Sequence, residues 1–202
     1  MSRERILRTL RGHAAARVNF TVRAYASTIT VNRTTFERVA SAIENGTVNL
    51  TIISEAEMPM LGAGAAYYAQ AGVANNPTYF ATRSPNIPAN SLFTQETFGR
   101  IEESQLIHES VHASLDLTRS NGIISAFEEA ACFIAEALYC RRMGLPRWRY
   151  YLDQIGSTAL SIANSIISTG HADDAAVTRL VKAVATHSLY RANAAVCYTS
   201  DG

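Results

Sequence analysis

Cysteine, net charge and long apolar runs are all scarce in this chain of 202 residues, and each shortage removes a class of protein. The three cysteines, Cys132, Cys140 and Cys197, are too few and odd in number for a disulfide scaffold. They read as reduced, small, buried side chains. Charged residues make up 17% of the chain and the formal net charge is +1, so there is no bulk attraction to nucleic acid or to an anionic membrane. No apolar run approaches the roughly 20 residues needed to cross a bilayer. The segment Met1 to Arg11 carries charge but lacks the apolar stretch of a signal peptide. The expectation is a soluble, cytoplasmic protein without nucleic-acid or membrane partners. Export by a route that reads no such signal stays open. Internal repeats and low-complexity segments are also missing.

What is present is a hydrophobic content of 48%, enough for one domain with a continuous core. The whole span 1–202 is read as that domain, strand-rich over about 1–90 and helical over about 91–193. Alternation at Val18-Asn19-Phe20-Thr21-Val22 and the β-branched run Thr28 to Val31 predict extended segments. Thr34 or Thr35 is expected to cap a helix that stops at Asn45-Gly46. Thr47 to Ile53 reads as a strand. Gly62 and Gly64 lack both the third glycine and the following helix of a nucleotide loop. Residues 65–69 and 78–82 are expected to pair as a hairpin through Gly72 and Asn75-Asn76-Pro77. Pro85 and Pro88 make 84–90 irregular. Helices follow at about 95–118, 123–143, 147–168 and 172–191, broken at Asn121-Gly122, Gly144-Leu145-Pro146 and Gly170. Within the third, Arg147-Trp148-Arg149-Tyr150-Tyr151 is a helix start with Trp148 and Tyr151 inward. In the fourth, Asp173 and Asp174 suit the helix N-terminus. Strands followed by helices make an α+β fold.

The chemistry concentrates at His108-Glu109-Ser110-Val111-His112, an HExxH motif inside the first of those helices. One turn separates the two histidines, so both imidazoles leave the same face and can chelate one metal ion, with Glu109 beside them as general base. A catalytic zinc takes three protein ligands and keeps one position for water. The metzincin third ligand is excluded, because Thr118 and Leu115 stand where that pattern needs His and Gly. A helical hairpin folding back at Arg119 to Gly122 sets His112 level with Glu129. Glu129 is then offset by about 3 Å from the midpoint of the histidines and Glu136 by about 7.5 Å. Glu128 is also within axial reach but points about a hundred degrees away, so only one of the adjacent pair can face the ion. Glu129, Cys132, Phe133 and Glu136 share a stripe, and Ala130, Ala131 and Ala135 leave room for close helix approach. Asp116, one turn past His112, is placed to accept a hydrogen bond from a ligating imidazole or a neighbouring group. Glu102 and Glu103 read as solvated.

The segments His108 to Leu117 and Glu129-Ala130-Ala131-Cys132-Phe133-Ile134-Ala135 resemble small bacterial gluzincin-type zincin domains, which carry HExxH on one helix and E-A-x-x-[FY]-x-A on the next. The resemblance spans about residues 65–140. It implies a zincin-like fold with a small mixed or antiparallel sheet and an edge hairpin. It implies one catalytic zinc ion on His108, His112 and Glu129, and hydrolysis of a peptide or protein substrate by a zinc-activated water with Glu109 as general base. The hairpin from Tyr67-Tyr68 to Thr78-Tyr79-Phe80 would be the edge that pairs with extended substrate. The 17 positions from His112 to Glu129 are fewer than thermolysin-like enzymes use. A donor for the reaction oxyanion is sought among His171, His187, Tyr67, Tyr68 and Tyr79, without a choice between them. Two other readings stand beside this one. Either the zinc is structural, closed by Cys132, or the motif is coincidental in a non-catalytic helical interaction domain. A housekeeping peptidase and a secreted toxic effector look alike at this level.

Overall fold

A computed structural model describes residues 2–53, 65–69, 88–96, 99–118, 120, 122–145, 153–191 and 195. The chain begins with α1 (Arg3–Leu10) and the single turn α2 (His13–Ala16), neither of which the strand-rich expectation included. Ile6 and Leu10, one turn apart, are both buried, and Ser2 caps α1 by accepting from the Arg5 amide. The surrounding arginines mask that short apolar face. Strands β1 (Phe20–Ala24) and β2 (Ser27–Val31) then form an antiparallel hairpin with Val22 opposite Ile29. Its tight turn puts Tyr25 and Ala26 at φ 50° and 64°, as a primed turn demands.

Helix α3 (Arg33–Asn45) is capped by Asn32 rather than by either threonine. The Asn32 side chain accepts from the Thr34 amide at 2.9 Å, and Thr35 Oγ1 accepts from the Asn32 amide at 3.1 Å. Thr35 is thus the reciprocal half of a capping box. Gly46 stops the helix in the left-handed region, as expected.

A second sheet has the order β3-β5-β4, from β3 (Asn49–Ile53), β4 (Ala65–Tyr68) and β5 (Ser91–Gln95). β3 runs parallel to β5 and β4 antiparallel to it. β5 corrects the sequence reading, which began a helix at 95. Ser91, Leu92, Phe93 and Thr94 are all buried, so the central strand shows no alternation to betray it. The helix starts at Arg100, where the Glu102 carboxylate accepts from the Gly99 amide at 2.7 Å. The other half of the expected hairpin, 78–82, lies outside the described residues, as does the aromatic-basic run 147–151.

The helical half consists of α4 (Arg100–Leu117), α5 (Ser125–Arg142), α6 (Gln154–Thr169) and α7 (Asp174–Thr186). Asp153 and Asp173 cap the last two. α7 ends five residues before the expected boundary, and the chain turns through His187 to Tyr190. α5 runs through the middle, packed on α4, α6 and α7, with its alanines sealed from solvent. Among the described residues no helix is long and apolar enough to cross a membrane. Phe127 anchors this packing with no exposed surface. Phe127→Ala should cost about 3–5 kcal/mol in chemical denaturation, and a loss under 1 kcal/mol would contradict that burial.

Candidate metal centre

α4 presents His108 and His112 side by side, ring centroids 5.3 Å apart. α5 lies against them and supplies three carboxylates, each with a separate task. Glu129 reaches the Nε2 atoms of both rings, its Oε2 3.4 Å from His108 and its Oε1 3.6 Å from His112. Glu136 Oε2 lies 3.2 Å from His108 Nδ1, and Glu128 Oε1 lies 2.7 Å from His112 Nδ1. A carboxylate on Nδ1 fixes that nitrogen as the donor and leaves the Nε2 lone pair for a metal. Glu128 and Glu136, considered above as alternatives to Glu129, therefore hold the far nitrogens while Glu129 sits with the near ones.

Glu109 faces the sheet. Its Oε2 accepts from the Tyr67 amide of β4 at 2.8 Å, which ties the HExxH helix to that strand. Asp116 makes the second tie, and it takes the neighbouring group rather than an imidazole. Its Oδ2 lies 2.7 Å from the Tyr67 hydroxyl, which also approaches Asn90 Oδ1 at 2.9 Å.

Two more residues join the site: Cys132, expected there only as the closing ligand of a structural zinc, and Tyr190, which was not singled out. Cys132, one turn along α5 from Glu129, is fully buried, and its sulfur and one nitrogen from each histidine lie within 4.8 Å of one another. Tyr190 arrives from the turn after α7. Its ring meets Phe133 edge-on at 5.9 Å, and Phe133 meets His108 at 4.8 Å. Burial first, then the charges of Glu129, Glu109 and Glu136, push the Tyr190 phenol pKa up. Nothing in local periodicity links Tyr190 to residues so far back along the chain. Of the other oxyanion candidates, His187 packs beside Tyr190 at 5.6 Å and accepts from the Leu189 amide. Tyr68 packs on Phe93, and His171 sits in the exposed loop between α6 and α7. Tyr79 lies outside the described residues.

Comparison with protein-family models, curated proteins and solved structures gave no match.

The electrostatics follow from burial opposed by pairing. Burial resists charge on His108, but Glu129 and Glu136 outweigh it and hold its pKa well above the ordinary value near 6.5. His112 is likewise raised against burial, by Cys132, Glu129 and Glu128. Burial opposes ionisation of Glu129 too, yet the two imidazoles keep its carboxyl far below the usual range. Glu109 goes the other way: its recess raises its pKa although both histidines pull it down. The buried Oε2 of Glu129 has no hydrogen bond. Two imidazole nitrogens, an unsatisfied carboxylate oxygen and a thiol suit a borderline-soft divalent cation such as zinc.

A pH dependence follows for metal-free protein. The folded state holds imidazole protons more tightly than the unfolded chain, so this stabilisation is fully present below about pH 6.5 and is lost as pH rises through the raised pKa values. The depressed Glu129 acts oppositely, its contribution fading only as pH falls below its ordinary value of about 4.5. Thermal melts of chelated protein should therefore show stability declining above about pH 6.5. Added zinc should remove the decline, because metal binding requires neutral imidazoles. A flat profile in chelator would contradict the paired-histidine arrangement.

Proposed function

We propose that this protein is a zincin-type, zinc-dependent peptidase. The observation that carries the reading is the division of nitrogens: both Nε2 atoms meet at one partly buried carboxylate, while both Nδ1 atoms are held by others. His108, His112 and Glu129 would hold the metal. Bound zinc supplies an acidified water and a polarised substrate carbonyl.

The chain's own residues do the rest. Glu109, with its affinity for protons raised by its recess, accepts the proton of the attacking water and returns it to the departing nitrogen. β4 is one of the two outer strands of its sheet among the described residues, and an extended peptide would pair along it. The Tyr67 contacts to Glu109 and Asp116 hold that strand in register with the base. Tyr190, whose ring packs on Phe133 beside His108, would donate to the oxyanion that develops on the carbonyl. Tyr190→Phe should then lower kcat about a hundredfold with zinc content unchanged. Equal activity in that variant would remove Tyr190 from the chemistry.

The test is stoichiometric zinc in purified protein together with cleavage of casein or a mixed peptide library. The place of Cys132 beside both histidines favours one second reading, a closed structural zinc without turnover. Full zinc occupancy with no cleavage of any peptide pool would select it.

A further inference from the structure

We infer that Cys132 is a fourth protein donor to the cation held by His108, His112 and Glu129, and that it competes with water for the position hydrolysis requires. The competition rests on the peptidase reading above; the ligation does not. Donors on one tetrahedral zinc ion lie roughly 3.4–3.8 Å apart, given zinc–nitrogen and zinc–sulfur distances of about 2.1 and 2.3 Å. The sulfur and the two imidazole nitrogens already lie within 4.8 Å of one another, so about 1 Å of contraction brings all three onto one ion. Among the described residues this trio is the one cluster with a single donor atom from each side chain at that spacing, and Glu129 approaches the two rings through two different oxygens.

The helix places the fourth donor by the same rule as the third. Glu129 and Cys132 are three residues apart on α5, hence on one face. The packing of α5 on α4 holds that face against the histidines. Cys132 has no exposed surface, so solvent does not compete for its sulfur from outside. Zinc favours thiolate in closed sites.

The exchange balances simply. The Cys132 thiol gives its proton to solvent, its sulfur bonds the cation, and the water occupying that position leaves. Reversal needs one proton and one water. Only molecules in the water-bearing state hydrolyse substrate, so the observed rate is scaled down by their fraction.

Cobalt substitution tests the ligation without reference to activity. Cobalt-loaded wild-type protein should show the intense near-ultraviolet sulfur-to-metal charge-transfer band. Cys132→Ala and Cys132→Ser should lose it, and Cys140→Ala should keep it. Metal binding should release about one more proton in wild type than in Cys132→Ala. Peptide turnover should rise about tenfold in Cys132→Ala. Cobalt bound at full stoichiometry with no such band would overturn the inference and leave the peptidase reading standing. A Cys132-dependent band with no peptide turnover in any variant would uphold the fourth donor and overturn the peptidase reading. Failure of wild type to bind stoichiometric metal would overturn both.

Discussion

Glu109→Gln will lower peptide hydrolysis by about a thousandfold or more while zinc stays bound at full stoichiometry. General-base catalysis contributes about 10²–10⁴ to rate, and each other carboxylate described at the site already has a partner. Glu128, Glu129 and Glu136 are each committed to an imidazole, and Asp116 is committed to Tyr67. Glutamine keeps the volume, and its carbonyl can still accept from the Tyr67 amide, so the tie between α4 and β4 survives. What it loses is the ability to take a proton. The metal should remain because Glu109 is outside the set of groups gathered at the two Nε2 atoms. Zinc analysis and turnover on the same preparation check both halves. Undiminished cleavage would end the peptidase reading, and loss of zinc would show that Glu109 is itself a ligand.

His108→Ala should produce the opposite separation, with metal lost and fold weakened. Removing this ring deletes one metal nitrogen, takes away the imidazole partner of Glu136 and leaves Glu129 paired with His112 alone. Outer partners of a metal ligand are worth about 10–100-fold in affinity, so a direct ligand should cost more than about a hundredfold. Breaking a fully buried ion pair costs about 3–5 kcal/mol. Both carboxylates keep a little under a fifth of their side-chain surface exposed, so a loss of about 2–3 kcal/mol is the reasonable expectation for metal-free protein. Equilibrium dialysis against zinc and urea denaturation in chelator measure the two effects. His171→Ala, in the exposed loop between α6 and α7, is the matched control and should change neither. Stoichiometric zinc in the His108 variant would remove this residue from the ligand set.

The site was legible in unequal parts. HExxH is a local pattern, so the shared face of His108 and His112 follows from helical spacing alone. Folding α4 back on α5 through a short turn correctly brought Glu129 level with His112. The tasks of Glu128 and Glu136 were not legible, because they depend on which imidazole nitrogen points along α5 and which across it. Asp116 was expected near an imidazole or a neighbour, and the neighbour is Tyr67, brought by a strand 49 residues earlier in the chain. Tyr190 carried no signal for the same reason. In the fold, β5 escaped because a strand buried on both faces has no period, and α1 because its apolar face is only two residues long.

Spacing along single helices therefore decided which side chains travel together: the two histidines with Glu109 beside them, and Glu129 with Cys132. Those relations depend only on backbone geometry, which is the same in every helix. The rotation of α4 against α5 and the approach of β4 and the turn after α7 decided what each group touches. Side-chain packing across distant segments sets those relations, and no local period encodes it.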